Sequence, residues 1–310
     1  MTTTPYTPAI TPTRYAVNSL LAENLTVLTW VDCNGVRWPL SGGLAPIPGA
    51  QNGVVLKDIK GFTAPFKHID HQSARQDGVD YQDTVYEPLE LDMNITVSAQ
   101  DTGAYRRVWS SWVDGWDPKR QGRLSVYTQD SGEWWVWLRL LKETQATLGR
   151  GPAKHTVQEF DWTGRADFPF WASFPSSSGL VASSSTTLHD PLGVGPNNFL
   201  PLWNRGNVAT WPTYIFQGPG TITIADIMTS APVTFGPLTA GQSALIVTLP
   251  RLRSIRELTT NTNLYPLLTG RFSTPIPAAT AVNVRVTVTG AVSGVTAVDA
   301  QCIPYRTWPE

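Results

Sequence analysis

The chain has 310 residues, enough for two domains or one large β domain. Charged residues make up only 15%, while Gly and Pro each number 25 and Trp 13, the mix of a turn-rich β protein with much aromatic burial or contact surface. A formal net charge of −1 gives no basic excess to draw the chain onto nucleic acid or an anionic membrane, which argues against DNA binding as a main role.

Residues 1–23 are rich in Thr and Pro and predict an extended or flexible arm. No charged start precedes an apolar core there, and nowhere do about 18 apolar residues run together. Neither a signal peptide nor a membrane span is expected, and the product is expected to be soluble and cytosolic when made. Ordered structure begins with LTVLTWVD (Leu25 to Asp32) and VRWPL (Val36 to Leu40). These flank Asn34-Gly35, a strong hairpin signal between apolar runs. A Gly and Pro loop over Ser41 to Gly53 leads to the strands VVLKDIKGF and LELDMNITVSA (Leu89 to Ala99), with a turn at Asp77-Gly78 between them.

One segment has helical rather than strand spacing. Tyr105, Val108, Trp109, Trp112, Val113 and Trp116 recur at intervals of three and four after a candidate N-cap at Asp101, with a stop near Gly115 and Pro118. GRLSVYTQ, the turn Asp130-Ser131-Gly132 and SGEWWVWLRLL then form a second hairpin. Alternation puts Trp134, Val136, Leu138 and Leu140 on one face of its last strand, and Trp135, Trp137, Arg139 and Leu141 on the other. Both faces are apolar, so both must be covered, by the chain itself or by a partner.

These elements predict a first domain over residues 24–174. The Ser, Thr, Pro and Gly stretch 175–198 reads as a junction, and a second domain over 199–310 follows. In the second domain PTYIFQGPGTITIADI, SALIVTL, Tyr265 to Phe272 and AVNVRVTVTGA read as short strands between Gly and Pro turns, the pattern of an antiparallel sandwich.

Chemistry finds little to stand on. His68 and His71 enclose Asp70, but no third ligand is spaced to complete a metal site, so surface histidines are expected. Cys33 and Cys302 lie far apart and read as two separate thiols. No nucleophile elbow and no phosphate-cradling loop occurs. Glu87, Glu90 and Asp92 are the carboxylates a glycosidase would draw on; alternation sets Glu90 and Asp92 on one strand face, where a solvated edge competes as the explanation. Trp203, Trp211 and Tyr214 are candidates for a carbohydrate platform, against core packing at the end of the sandwich.

The order of parts then carries a resemblance. The hairpin LTWVDCNGVRWPL, ARQDGVDY before the strand EPLELDMNITV, and the single helix before GRLSVYTQDSGEWWVWLRLL are followed by RADFPFWAS, NRGNVATWPTYIFQGPGTITI and LTAGQSALIVTL. From Leu25 to Arg306 this succession resembles the distal tail proteins of long-tailed siphophages, in the minor-tail style of phages infecting actinobacteria. Gln242 departs from the family's usual acid, and Pro175 to Asn198 is longer and more polar than a simple junction.

The resemblance implies a mainly β fold, with an N-terminal β-barrel-like ring-forming domain bearing one helix and a C-terminal galectin-like antiparallel β-sandwich. It implies a structural virion protein of the tail tip, assembled in the host cytoplasm, with no cofactor, metal or catalytic residue. Its implied partners are five further copies in a hexameric ring, the tail tube protein, the tail-tip hub or tail-associated protein and the tape measure protein. DNA would pass through the lumen without specific binding, and no membrane is involved. In such a ring one face of the Trp134 to Leu141 strand would pack on the helix through Trp109 and Trp112, leaving Trp135, Trp137 and Arg139 for a neighbour. Two other readings stand beside it: a carbohydrate-binding adsorption module, and a cell-wall glycosidase.

Overall fold

The computed structural model describes residues 26–72, 74, 76–142, 156–193 and 195–309, so the arm expected over residues 1–23 lies outside the described residues. The chain divides into two compact units, one reaching Ala172 and including Thr307–Glu310, the other spanning Ser173–Arg306.

In the first unit β1 (Val27–Val31) and β2 (Arg37–Ser41) form the opening hairpin. Gly35 sits at φ +85° in its turn, a conformation other residues rarely adopt. The buried Asp32 carboxylate fixes the turn by accepting from the backbone N–H of Asn34 (2.9 Å) and Val36 (2.9 Å) and from Trp38 Nε1 (3.0 Å). There follow β3 (Gly53–Lys60), β4 (Phe66–His71), β5 (Asp80–Tyr86), β6 (Leu89–Ser98), α1 (Thr102–Asp114), β7 (Gly122–Thr128), β8 (Gly132–Leu140), β9 (Val157–Ala166) and the short β10 (Trp171–Ser173).

The principal sheet runs in the order β2-β1-β7-β8-β9-β6-β3 through antiparallel ladders. Among the described residues no ladder joins β2 to β3, so the barrel-like character expected of this domain is not carried to hydrogen-bonded closure there.

Helix α1 follows its sequence signals. Asp101 caps it by accepting from Ala104 N (2.8 Å), and Tyr105, Val108 and Trp112 point into the core. Gly115 at its C-terminus is needed for room rather than for conformation, because a Cβ there would run into the Asp32 carboxylate. The core is built from stacked tryptophans. Trp30 lies on Trp116 with centroids 4.1 Å apart, Trp109 on Phe160 at 4.0 Å, and Trp38 meets Trp112 edge-on at 5.4 Å. Each fully buried large side chain is worth about 1.5–3 kcal/mol, and aromatic pairing adds about 0.5–1.5 kcal/mol per pair.

The second unit is a two-sheet antiparallel sandwich. One sheet has the order β12 (Leu188–His189), β11 (Ser176–Ala182), β21 (Ala297–Cys302), β14 (Thr213–Gln217), β17 (Ser243–Val247), β18 (Ser254–Glu257). The other has β13 (Phe199–Asn204), β20 (Thr280–Thr289), β15 (Gly220–Ala225), β16 (Pro232–Leu238), β19 (Leu268–Thr269). Strict alternation makes the inner faces: Ile222 and Ile224 in, Thr221, Thr223 and Ala225 out; Val284, Val286 and Val288 in.

Two boundaries differ from the expected ones. The segment 175–198 is not a junction, because β11 within it pairs along its length with β21 and with β12. Ser176 and Ser178 share the inward face with Leu180 and Ala182, opposite the buried Cys302 and Ala300, and only Ser177 is exposed, so a polar composition conceals a half-buried strand. The span Tyr265 to Phe272 is one turn of 3-10 helix and the two-residue β19, Pro266 being unable to donate to a ladder. The last residues also return to the first unit: Ala64 N donates to Thr307 O (2.7 Å), and Pro309 is buried.

Candidate functional site

Strand β8 has the register that its alternation implies. Trp134, Val136 and Leu138 are 0–1% exposed and belong to the same core as α1. Trp135, Trp137 and Arg139 face the other way, and Trp137 is 51% exposed. Trp135 is partly covered, with the Arg123 guanidinium 5.4 Å from its ring, a cation–π contact across from β7. Arg139 is engaged within its own chain: it pairs with Asp167 (2.7 Å) and donates to the carbonyls of Pro118 and Lys119. Of the three candidate contact residues, Trp137 is the one left with broad free surface.

A larger exposed surface, not anticipated from the sequence, lies on β4 and β5. These strands pair only with each other among the described residues, forming a ribbon that continues the β3–β6 hairpin. The joint is tight. Gly61 sits at φ +91°, and a Cβ there would collide with the Glu90 carbonyl oxygen. Every residue of the ribbon strands is exposed except the half-buried Thr84, yet the ribbon carries Phe66, Ile69, Tyr81, Val85 and Tyr86. A two-stranded ribbon alone is marginal in water. This one is braced by a ladder of rings: Tyr81 to His68 (5.7 Å), His68 to Phe66 (5.1 Å), Phe66 to Tyr86 (6.5 Å), Tyr86 to Phe170 (4.8 Å) and Phe170 to Phe168 (5.2 Å). Thr84 Oγ1 ties His68 Nδ1 (2.9 Å) to the Tyr81 hydroxyl (2.8 Å). His68 is thus a rung of the ladder, and among the described residues no three His, Cys, Asp or Glu are grouped to hold a metal.

Of the candidate glycosidase carboxylates, Glu90 and Asp92 lie on the exposed face of β6, while Glu87 lies before that strand, its backbone N–H donating to Pro65 O (2.9 Å). That strand sits between β9 and β3, so the solvated edge expected for it is an open face of the sheet instead. Asp92 accepts from Thr163 Oγ1 (2.7 Å) and Asn94 Nδ2 donates to Asp161 (2.8 Å), both on the wall of a polar cleft of about 450 Å³ that Lys57, Asp58 and Lys60 also line. The cleft's acids are interspersed with lysines: Asp58 pairs with Lys60 (3.9 Å), and Asp92 and Asp161 are bonded to neutral side chains. Glu90 stands opposite Arg165 and is not part of it.

In the second unit the three rings proposed as a sugar platform are dispersed. Tyr214 is 0% exposed and stacks on Phe272 inside the core (5.7 Å), and Trp211 packs partly buried against that core. Only Trp203, 56% exposed on β13, faces outward. Pro212 and the alternation of β14 turn Tyr214 inward, the outcome the competing core reading gives. The two cysteines are unpaired; Cys302 is buried in this core, and burial pushes its thiol up to about 12.

The helix-backed tryptophan sheet, the aromatic ribbon and the antiparallel sandwich together give a fold similar to that of solved phage hub and baseplate structures. The crystal structure of the SPP1 Dit (gp 19.1) protein, described as a paradigm of the hub adsorption apparatus in phages infecting Gram-positive bacteria, matches with a TM-score of 0.59 at 9% identity, over 90% of this chain and 98% of that one. Structures of the phage P2 baseplate in its activated conformation, with Ca and with Sr, match with TM-scores of 0.52 and 0.51 at 9% and 8% identity, covering 90% of this chain and 97% of theirs. No family model and no curated protein matches the sequence. The fold read from motif order and the fold found in space therefore agree.

Proposed function

We propose that the chain is a structural protein of a siphophage tail tip. Six copies would close through their first units into a ring joining the tail tube to the host-adsorption apparatus, with a lumen for the genome. The observation that carries this reading is the exposed apolar surface of the first unit: the ribbon with Phe66 (56% exposed), Tyr81 (63%) and Val85 (49%), and Trp137 on β8. Monomers in water seldom keep such surface uncovered. Burying four such side chains from half exposure yields about 3–6 kcal/mol per interface at about 1.5–3 kcal/mol for each full burial. A head-to-tail contact of that kind closes into a ring when its rotation permits.

The similarity to a hub protein and to baseplates supports the same role, which asks no catalysis of the chain. The tube protein, the tip hub and the tape measure protein are its partners in this reading. A net charge of −1 suits a channel that must not retain a polyanion. Electron microscopy and light scattering on the purified protein test it. Closed rings of one mass, near six times 33.9 kDa, are expected; monomers alone at high concentration, even with tube protein added, would overturn it.

A further inference from the structure

The second unit carries a site of its own at the edge strand β18. Alternation turns Ile255 and Glu257 inward and Ser254 and Arg256 outward. The chain then turns and comes back alongside: Glu257 N donates to Thr262 O (2.9 Å) and Leu264 N to Ile255 O (2.9 Å), which sets Asn263 opposite Arg256. With Arg253 before the strand and Tyr265 after the turn, Ser254, Arg256 and Asn263 line a cleft of about 470 Å³. That is within the roughly 300–1,000 Å³ of small-molecule sites.

The cleft's charge is one-sided. Neither Arg253 nor Arg256 is ion-paired among the described residues. Arg253 donates from Nη2 to Phe272 O (3.2 Å), while its Nε is buried with no hydrogen-bond partner; Arg256 donates from Nη1 to Asn261 Oδ1 (3.1 Å). The strand's own carboxylate, Glu257, points to the other face and is held by the Thr260 backbone N–H, so it does not neutralise the pair. Two guanidinia with donors to spare suit an oxyanion.

The rest of the lining suits a polyhydroxyl carbon frame. Tyr265 is 39% exposed and offers a ring face. The hydroxyls of Ser254 and Tyr265 make no hydrogen bond among the described residues. Asn263 uses its carboxamide oxygen on Tyr265 N (3.0 Å), leaving its NH₂ to donate. A duplex would instead need a long run of cations matched to successive phosphates.

We propose that this cleft binds a phosphate carried on a sugar or polyol, with Arg253 and Arg256 on the phosphate and Tyr265 against the carbon frame. The site stands whether or not the chain closes into a ring. Calorimetric titration of the full chain with glucose 1-phosphate tests it, with glucose, inorganic phosphate, a glycerol-phosphate polymer and duplex DNA in parallel. Saturable binding of glucose 1-phosphate is expected, at least tenfold tighter than either glucose or inorganic phosphate. Arg256→Gln and Tyr265→Ala, both exposed positions, should each weaken it tenfold or more with the melting temperature unchanged. A polymer that binds tighter per phosphate than the monomer marks a polymeric ligand, and equal binding per phosphate marks a free sugar phosphate; either supports the site. Absent binding, inorganic phosphate binding as tightly as the sugar phosphate, unaffected variants, or DNA displacing the sugar phosphate at equal phosphate concentration would each overturn it.

Discussion

Trp134 and Trp137 are three positions apart on β8 and lie on opposite faces, so they separate folding from assembly. Trp134 is 0% exposed, and its Nε1 donates to Ser131 O (3.0 Å) and Oγ (2.9 Å). Trp134→Ala therefore costs about 3–5 kcal/mol for the lost core ring, and the forfeited hydrogen bonding adds about 1 kcal/mol. At about 2–4 °C per kcal/mol for a unit of this size, the first unit should melt roughly 10–20 °C lower. Trp137 is 51% exposed, so Trp137→Ser should change the same transition by no more than about 1 kcal/mol, a few degrees. In the proposed ring, however, that side chain would be lost from every interface, and ring mass should give way to smaller species. Calorimetry reads the first quantity and light scattering the second. If both variants lower the melting temperature equally while rings persist, both faces of β8 are internal and the ring closes without it.

Other substitutions probe the frame of each unit. Gly61→Ala sets a side chain at φ +91° against the Glu90 carbonyl, which should cost at least about 1–2 kcal/mol for the conformation alone and expose the Phe66 to Tyr86 ribbon to protease; an unchanged digestion pattern would count against the tight joint. Asp226 is buried and accepts from Thr229 Oγ1 (2.8 Å), from Ser273 N and Oγ (3.1 and 2.6 Å) and from Thr274 N and Oγ1 (3.3 and 3.0 Å). Burial pushes its carboxyl up, but those hydrogen bonds together pull it below its ordinary value. A lowered folded-state pKa gives stability that is complete above the ordinary value near about 4 and is lost as pH falls through the folded one. Asp226→Asn should therefore melt the second unit lower at pH 7 and flatten its acid dependence, and parallel pH profiles would refute the role. Removing residues 307–310 takes away the acceptor of Ala64 N–H and the buried Pro309, so the first unit should melt lower by about 1–3 kcal/mol while the second is unaffected.

Elements whose inward residues recur at a fixed spacing were legible in the sequence, because that spacing is the trace of the face they bury. Helix α1, with Tyr105, Val108 and Trp112 inward behind the Asp101 cap, and β8, with its two tryptophan faces, are where the spacing put them. The β4–β5 ribbon was not legible as a surface, because both its faces meet solvent and no alternation survives to mark it. The strand β11 was hidden for another reason: serine fills two of its inward positions, Ser176 and Ser178, so no apolar alternation marks its first half. Tyr214 shows the limit of reading aromatics by neighbourhood in sequence, since Trp211 three positions earlier stays partly exposed while the tyrosine enters the core. The cleft of Arg253 and Arg256 was not legible, because only the turn that brings Asn263 and Tyr265 beside them makes it.

The tryptophan core has an optical consequence. Of 13 tryptophans, only Trp203 and Trp211 lie in the second unit. In the first, Trp30 and Trp116 overlap at 4.1 Å, and Trp112 and Trp162 lie 5.9 Å apart, close enough for their excited states to couple and for excitation to hop between rings. Far-ultraviolet circular dichroism should therefore carry an exciton signature of the paired indoles that vanishes when the first unit opens. Fluorescence from this chain would behave as the light of one unit, leaving the sandwich almost dark and its unfolding to be followed by other means.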